Sequence, residues 1–554
     1  MVSSSTTTFK KVLIICLYII LGLVLLLIGI GYFGLKPLLT KRIQTAVLNS
    51  TDNLYHLDFK NIKYDIMSGN ASISDVTWQA DSMLYDSLKS LKKMPDNIYQ
   101  GKVKEINLTG LHPWTIFLSK KLELNAISIS NPSVEIIHDK QAYNSFKTAS
   151  SPYQVISKFV KSFSVEKISF NNINFTYKNL SESKNAYTSR IENLDLEVSN
   201  LLIDAFSDKD SSRFYYTREC VFNLKKLEFP THDSLNTVKI SAITFSTKTR
   251  LLTIDSLLYL PKYKIMEYGS HTQGNDRIQI MSKNIRFENI DLRKLFEDKK
   301  IYAERLNISK GNVWVFSDTR PYKGVKKVSY RPYPHQSFKD WAAKFMIEKL
   351  NLKNFDITYS EYNPETNLVG NVYFTQINGS FTNLTNDTLT LAKDSHCLLF
   401  LKAKLMNKGN MSLKFNFDIA APNGDFTCSG KVVDLKMSEL NHVIKSLAMA
   451  KAEDGFVEQF SFNMKGNKYG LNGSSTLIYK DLNVTFLKNT KKDKSLKNRK
   501  FFSFIANAFV IKNSNPIRNK PIRISKINYR RVPLKPFFGT LWAGLLQGMK
   551  GAIM

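Results

Sequence analysis

Few residues in this chain are arranged for covalent chemistry. The nearest approach to a phosphate-binding loop is Gly424-Asp-Phe-Thr-Cys-Ser-Gly430-Lys431-Val432. Such a loop needs four residues between its glycines and a Ser or Thr after the lysine, so that amides, ammonium and hydroxyl converge on phosphates and metal. Here five residues intervene and Val432 follows the lysine, so the segment reads as a strand containing glycine. No HExxH or GxSxG occurs, and a GxGxxG spacing, Gly29-Ile-Gly31-Tyr-Phe-Gly34, falls inside an uncharged apolar run where no strand–turn–helix dinucleotide site is expected. The eight histidines, His56, His112, His138, His232, His271, His335, His396 and His442, are scattered, with none at ligand spacing to another. Acidic pairs such as Glu297-Asp298 read as solvated turns. Of the four cysteines, Cys16 lies in an apolar run, while Cys220, Cys397 and Cys428 are far apart and odd in number. That excludes a disulfide framework and favours buried free thiols, with a Cys397–Cys428 bond left open. No catalytic residue, metal ligand or cofactor is expected, and the chain does not read as an enzyme.

The elements that must carry any function repeat themselves. Residues 104–137 match 283–316 at a constant offset of 179: Ile106 falls on Ile285, Ile127 on Leu306, Ile129 on Ile308, Val134 on Val313 and Ile136 on Val315. A second block, VEKISFNNINFTY at 165–177, matches IEKLNLKNFDITY at 347–359 at offset 182. Upstream, Ile62, Tyr64, Ala71, Ile73 and Val76 match Ile243, Phe245, Leu252, Ile254 and Leu257 at offset 181. Apolar rhythm is kept and reactive side chains are not, which points to a duplicated architecture working through a surface.

The rhythm is that of strands with one apolar face. In the 165–177 block, Ile168 and Phe170 alternate before Asn171-Asn172, and Ile173 and Phe175 alternate after it. A two-residue turn at the asparagines predicts a hairpin with all four on one face. Its copy places Leu350 and Leu352 before Lys353-Asn354, and Phe355 and Ile357 after. By the same reasoning Ile127 and Ile129 pair with Ile136 and Val134 across Ser-Asn-Pro-Ser, and Leu306 and Ile308 with Val315 and Val313 across Ser-Lys-Gly-Asn. Helices are expected only near 81–94, 152–163, 336–346, 435–451 and 536–551. That is too little to cover two long sheets, so the apolar faces must meet each other, curl on themselves or hold something apolar.

Residues 12–35, VLIICLYIILGLVLLLIGIGYFGL, are uncharged and about as long as a bilayer core requires. The run exceeds the apolar part of a signal peptide and enters Lys36-Pro37 without a small-residue cleavage site, so an uncleaved signal-anchor is expected. The layout is then a cytoplasmic 1–11, an anchor at 12–35, a linker helix within 36–56, β repeat units at 57–206 and 207–392, and a third region at 393–554. The net charge of +31 invites an anionic partner, and cations thicken at 488–531, where Asp493 is the sole acid. An anionic membrane surface or envelope proteins suit this stretch. A nucleic-acid partner is not expected, because the aromatics alternate into the apolar face and the chain is anchored.

The third region holds the most specific local pattern. A strand ends in Ser429-Gly430, Asp434-Leu435 and Leu440-Asn441 lead into a helix, a strand runs from Phe462 to Gly466, and a Gly-rich strand closes on Tyr479-Lys480-Asp481-Leu482. This resembles the C-terminal region of AsmA-like proteins, as do the N-terminal apolar run and the strand-rich segment from Ile127 to Ile136. The resemblance implies an inner-membrane-anchored periplasmic protein of a diderm bacterium, related to bridge-like lipid-transfer proteins. It implies a mainly β fold: a transmembrane helix, then duplicated antiparallel sheet units curled into an elongated apolar groove. The implied partner is phospholipid and the implied role is outer-membrane biogenesis or lipid homeostasis. Two intervening repeats are few for a protein spanning the periplasm alone. The groove would be lined by the sixteen residues paired above, Ile127, Ile129, Val134, Ile136, Ile168, Phe170, Ile173, Phe175 and their copies Leu306, Ile308, Val313, Val315, Leu350, Leu352, Phe355 and Ile357.

Such a groove has a clear energetic use. Burial is worth about 0.8 kcal/mol per CH₂, so hiding one sixteen-carbon acyl chain from water is worth about 12 kcal/mol. The alternative is a non-catalytic envelope scaffold whose repeats form a closed β core. The last segment, 536–554, is apolar and Gly-broken and is expected either to cap the sheet end or to lie at a membrane interface, the cap being favoured because exposed edges must be blocked.

Overall fold

The computed structural model describes residues 53–554 apart from 66, 93, 112–114, 116–117, 142–150, 158–159, 181–186, 232, 273, 321–330, 487–510 and 534, together with Gln44, Thr45 and Leu48. The expected anchor at 12–35, nearly all of the linker helix and residues 488–510 of the basic stretch lie outside the described residues. Among the described residues no helix is long and apolar enough to cross a membrane.

The protein is mainly β, and its described strands belong to one mixed sheet of 21 strands. Two compact units divide the chain: residues 1–227 with 241–252, and residues 228–240 with 253–554. The first unit contains β1 (Tyr55–Asp58), β2 (Asn61–Asp65), β3 (Asn70–Ala80), β4 (Asn97–Thr109), β5 (Lys121–Ser130), β6 (Ser133–His138), β7 (Ser162–Asn179) and β8 (Tyr187–Ile203). The unit boundaries fall within β9 (Glu219–Pro230), β10 (Asn236–Ser246) and β11 (Leu251–Pro261). The second unit continues with β12 (Arg277–Ile290), β13 (Lys300–Asp318), β14 (Lys344–Asn363), β15 (Leu368–Thr385), β16 (His396–Leu405) and β17 (Gly409–Asp418). It ends with β18 (Phe426–Lys436), β19 (Ala450–Asn467), β20 (Gly470–Phe486) and β21 (Ile524–Arg530).

The expected hairpins do not form. Residues 162–179 make one strand, β7, and residues 344–363 make one strand, β14, each running straight through its Asn pair or Lys-Asn pair. β5 and β6 are collinear pieces interrupted at Asn131-Pro132: both pair antiparallel with β4 and both lie parallel to β7. The copy, β13, is unbroken from Lys300 to Asp318. The reason is bulge chemistry. Asn172 and Asn354 have φ of +64° and +52°, and the pairing register slips beside each of them. Asn tolerates the left-handed region because its short polar side chain bonds locally. One residue out of step switches the alternation, so Ile168 and Phe170 share a face with Ile173 and Phe175 along a single strand. A hairpin and a bulge make the same mark on the sequence.

The duplication extends to backbone conformation. Positive φ recurs at matched sites of the two copies: Lys120 and Lys299, Asn172 and Asn354, Asn193 and Gln376, Asn200 and Asn383. In each copy the two middle strands are parallel, β5 with β7 and β13 with β14, so the chain must cross over between them. Short helices lie in these crossovers, at Pro152–Ile156 and Pro334–Lys339, in place of the longer ones expected. The first begins at Ser151, which makes a capping box with Gln154. The helix Phe537–Ile553 matches expectation closely, Ser82–Ser90 is shorter than the expected 81–94, and of the expected 435–451 only Asn441–Ala448 is α-helical, between a 3-10 turn at Met437–Leu440 and strands reaching Lys436 and starting at Ala450.

Candidate functional site

The expected lining residues fall into rows crossing the strands. In the first unit Leu108, Ile127, Ile168 and Val198 form one row, and Ile106, Ile129, Phe170 and Leu196 the next. Beyond the bulges, Val134, Phe175 and Ile191 form a third, Tyr99, Ile136 and Tyr177 a fourth, and Ile173 faces Leu194. In the second unit the rows are Phe287, Leu306, Leu350 and Phe381; Ile285, Ile308, Leu352 and Gly379; Val313, Ile357 and Phe374; and Val315, Tyr359 and Val372. Phe355 faces Gly311 and Ile377. The sixteen residues therefore share faces as expected, but through straight bulged strands. Copy matches copy pair for pair: Ile106–Ile129 corresponds to Ile285–Ile308, and Ile168–Val198 to Leu350–Phe381.

Burial divides them. Ile127, Ile129 and Ile168 belong to a core in the first unit with Leu57, Ile73, Val76, Ile106, Leu122, Ile156, Phe163 and Val165. Ile127 is 0% exposed, so this stretch is packed shut by side chains. Val134, Phe170, Ile173 and Phe175 are only partly buried. In the second unit Leu306, Leu350 and Phe355 are buried, whereas Ile308, Val313, Val315, Leu352 and Ile357 remain partly exposed.

The apolar face of the second unit continues where the repeats stop. The row through Phe381 passes along Leu399, Phe415, Cys428, Met464 and Gly473 to Ile527. The helix Phe537–Ile553 closes the far end over β20 and β21. A Cβ on Gly544 would stand 2.6 Å from Leu471, and one on Gly548 would stand 2.3 Å from Ser475, so glycine allows the helix to approach this closely. The segment is thus the cap expected of it. Elsewhere on the sheet rings lie over cross-strand glycines: a Cβ on Gly311 would stand 2.2 Å from Phe355, and one on Gly430 would stand 2.4 Å from Phe462.

A second closure was not legible in the sequence. Tyr333, at the start of the second crossover helix, is fully buried, edge-on to Phe426 and Phe537 at centroid distances of 5.8 and 5.1 Å. Its hydroxyl donates to the Asn467 carbonyl at 3.0 Å, and the Arg531 guanidinium lies 4.0 Å from its ring centroid. Arg531 also donates to the carbonyls of Arg331 and Lys535. His335 packs beside Phe417 at 5.0 Å, and burial pushes its imidazole below the usual histidine range against the pull of the Gly424 backbone, Asp418 and Asp425. Crossover and C-terminal cap therefore meet as one aromatic plug at the Phe417–Phe426 end of the face.

The three described thiols, Cys220, Cys397 and Cys428, are free. Phe417 stands between Cys397 and Phe426, and Phe415 between Leu399 and Cys428, so a whole strand separates the two cysteines. Two strand spacings and one row step place them about 12 Å apart, too far for the disulfide left open by the sequence. Burial pushes the Cys397 thiol up to about 12 and raises Cys428 further.

An ion pair braces the repeat end of the second unit. Lys300 Nζ lies 2.8 Å from Asp387 Oδ1, and Asp387 caps the helix Thr388–Lys393 by accepting from the Thr390 amide. Burial alone would raise the Asp387 carboxyl, but hydrogen bonds from Lys300, Tyr302 and the Thr390 backbone outweigh it and hold it at about 2. At the matching position of the first copy, Asp204 accepts from the amides of Phe206 and Ser207.

No family model and no curated protein matches this chain.

Proposed function

We propose that the protein accommodates lipid acyl chains against the apolar face of its repeats, as a membrane-anchored lipid-binding or lipid-transfer protein. One observation carries this reading. Val134, Ile173, Phe175, Ile308, Val313, Val315, Leu352 and Ile357 are aligned across strands in both copies yet only partly buried. Ile308, Leu352 and Ile357 pack against the second unit's core on one side, and the exposure that remains along these aligned rows is what an apolar ligand would cover. Lipid binding of this kind needs no nucleophile or cofactor. The uncharged run at 12–35 and the resemblance to AsmA-like proteins support an inner-membrane, periplasm-facing setting and a part in outer-membrane lipid homeostasis.

The test is lipid mass spectrometry on the full chain after detergent removal, beside extraction of labelled phospholipid from vesicles. Stoichiometric phospholipid, lost in Ile357→Asp and Phe175→Asp while the fold survives, is expected. A folded chain that neither carries nor extracts lipid overturns the reading and leaves the envelope scaffold.

A further inference from the structure

The opposite face of the second unit carries an arrangement of its own. Side chains that alternate away from the apolar rows on β16 to β21 include Lys402, Lys404, Lys414, Lys431, Lys465 and Lys526. Five of the six are exposed and Lys404 is partly so. None makes an ion pair with a described carboxylate. This is unlike the first unit, where Lys167 pairs with Glu197 and Lys178 with Glu135 across strands. The reason is composition: β15, β16 and β21 contain no acid, and neither do the halves of β19 and β20 beside them, 459–467 and 470–478. Carboxylates border this stretch without pairing to these six lysines: Asp418 and Asp425 accept from the Ala420 and Ala421 amides and from Asn467, Glu458 pairs with Lys480, and Asp434 lies exposed on β18 three residues beyond Lys431.

Registers fix the layout of the charges. Lys402 lies in one row with Ser412, Lys431 and Ser461; the adjacent row holds Phe400, Lys414, Ser429, Asn463, Ser474 and Lys526; the next holds Leu398, Asn416, Thr427, Lys465 and Asn472. With strands about 4.8 Å apart and rows about 6.7 Å apart, neighbouring ammonium groups stem from positions about 8–14 Å apart in two dimensions. Small hydroxyl and amide side chains fill the gaps. Three large apolar side chains stand exposed in these rows, Leu398 at 43%, Phe400 at 47% and, where the Lys402–Lys431 row reaches β21, Ile524 at 71%.

We propose that this face docks on an anionic lipid surface. Charge in two dimensions matches a sheet of headgroups, whereas a nucleic-acid strand presents its phosphates along a line and is gripped by successive stacking aromatics, of which these rows offer Phe400 alone. Lysines attract the anionic leaflet from within a Debye length, and Leu398 with Phe400 enters the headgroup boundary. The proposal stands independently of whether the other face carries lipid.

The test holds the full chain in phosphatidylcholine nanodiscs and measures co-flotation with separate vesicles of phosphatidylcholine, with or without phosphatidylglycerol. Binding is expected only to the anionic vesicles. Each Lys→Gln change should weaken it about fivefold, so K402Q/K414Q/K431Q should lose about a hundredfold and flatten the salt dependence. L398S/F400S should weaken binding most at high salt, where charge is screened. All five positions face solvent mid-strand, and circular dichroism checks that the variants fold. Wild-type binding by the triple variant, equal binding to pure phosphatidylcholine, or a preference for a single-stranded oligonucleotide at matched phosphate would each overturn the proposal.

Discussion

Ile357→Asp separates a face that awaits a ligand from one already filled. Ile357 lies on β14 between Val313 and Phe374 and is partly buried. Fully burying such a side chain is worth about 1.5–3 kcal/mol, so the part-buried Ile357 contributes about 1–1.5 kcal/mol. A carboxylate on a face that water can reach stays hydrated and adds little to that loss. The expected cost of the substitution is therefore about 1–2 kcal/mol. Ile127→Asp is the control: Ile127 is 0% exposed inside the first unit's core. There an unpaired buried charge adds about 3–5 kcal/mol to the lost burial, enough to unfold the unit. Urea unfolding followed by far-ultraviolet circular dichroism reads both variants, and vesicle extraction reads Ile357→Asp. If Ile357→Asp costs as much as Ile127→Asp, the face is closed and the reasoning from partial burial fails.

Four further outcomes are expected. Lys300→Met should destabilise by about 2–4 kcal/mol in chemical denaturation, because it leaves the Asp387 carboxylate, 1% exposed, without its cation. Asp387 has a folded pKa of about 2 against an ordinary 3.8, so its contribution of about 2 kcal/mol is present above pH 4. That contribution should be lost as pH falls from about 4 through about 2, and the loss should be smaller in Lys300→Met. His335, buried with its pKa lowered, binds its proton more readily when unfolded; stability should fall with pH below about 6.5, and His335→Phe should flatten that leg of the melting-temperature profile. Gly311→Ala should cost about 1–3 kcal/mol by urea titration, since its Cβ would stand 2.2 Å from the Phe355 ring packed over it.

Much of the fold was legible because apolar alternation survives duplication. The offsets that align Ile129 with Ile308 and Ile168 with Leu350 in sequence also align their cross-strand partners in space. What misled was the break in alternation at Asn171-Asn172 and at Lys353-Asn354. Alternation tells which face a residue takes and is silent on whether the chain reverses there. Parallel pairing of β5 with β7 was equally hidden, because the crossover that permits it, around Pro152–Ile156, carries only a short helical signal. Of the candidate site, face membership was readable, but the split between the shut core at Ile127 and the half-covered Ile357 depends on which distant segments fold back. The Tyr333–Arg531 contact joins residues far apart in the chain through one ring and one guanidinium, a pairing that neither local sequence announces.

The strand lying between Cys397 and Cys428 makes the fold indifferent to redox poise. Among the described cysteines no disulfide has to form as the strands assemble, and none is there to be reduced away. The thiols instead keep time. Alkylation needs thiolate in contact with solvent, and Cys397 and Cys428, both 2% exposed with raised pKa, can supply it only while β16 to β18 open. With Cys16 and the partly exposed Cys220 replaced, the rate at which these two positions label becomes a clock for the breathing of the apolar face, built into the wall it reports on.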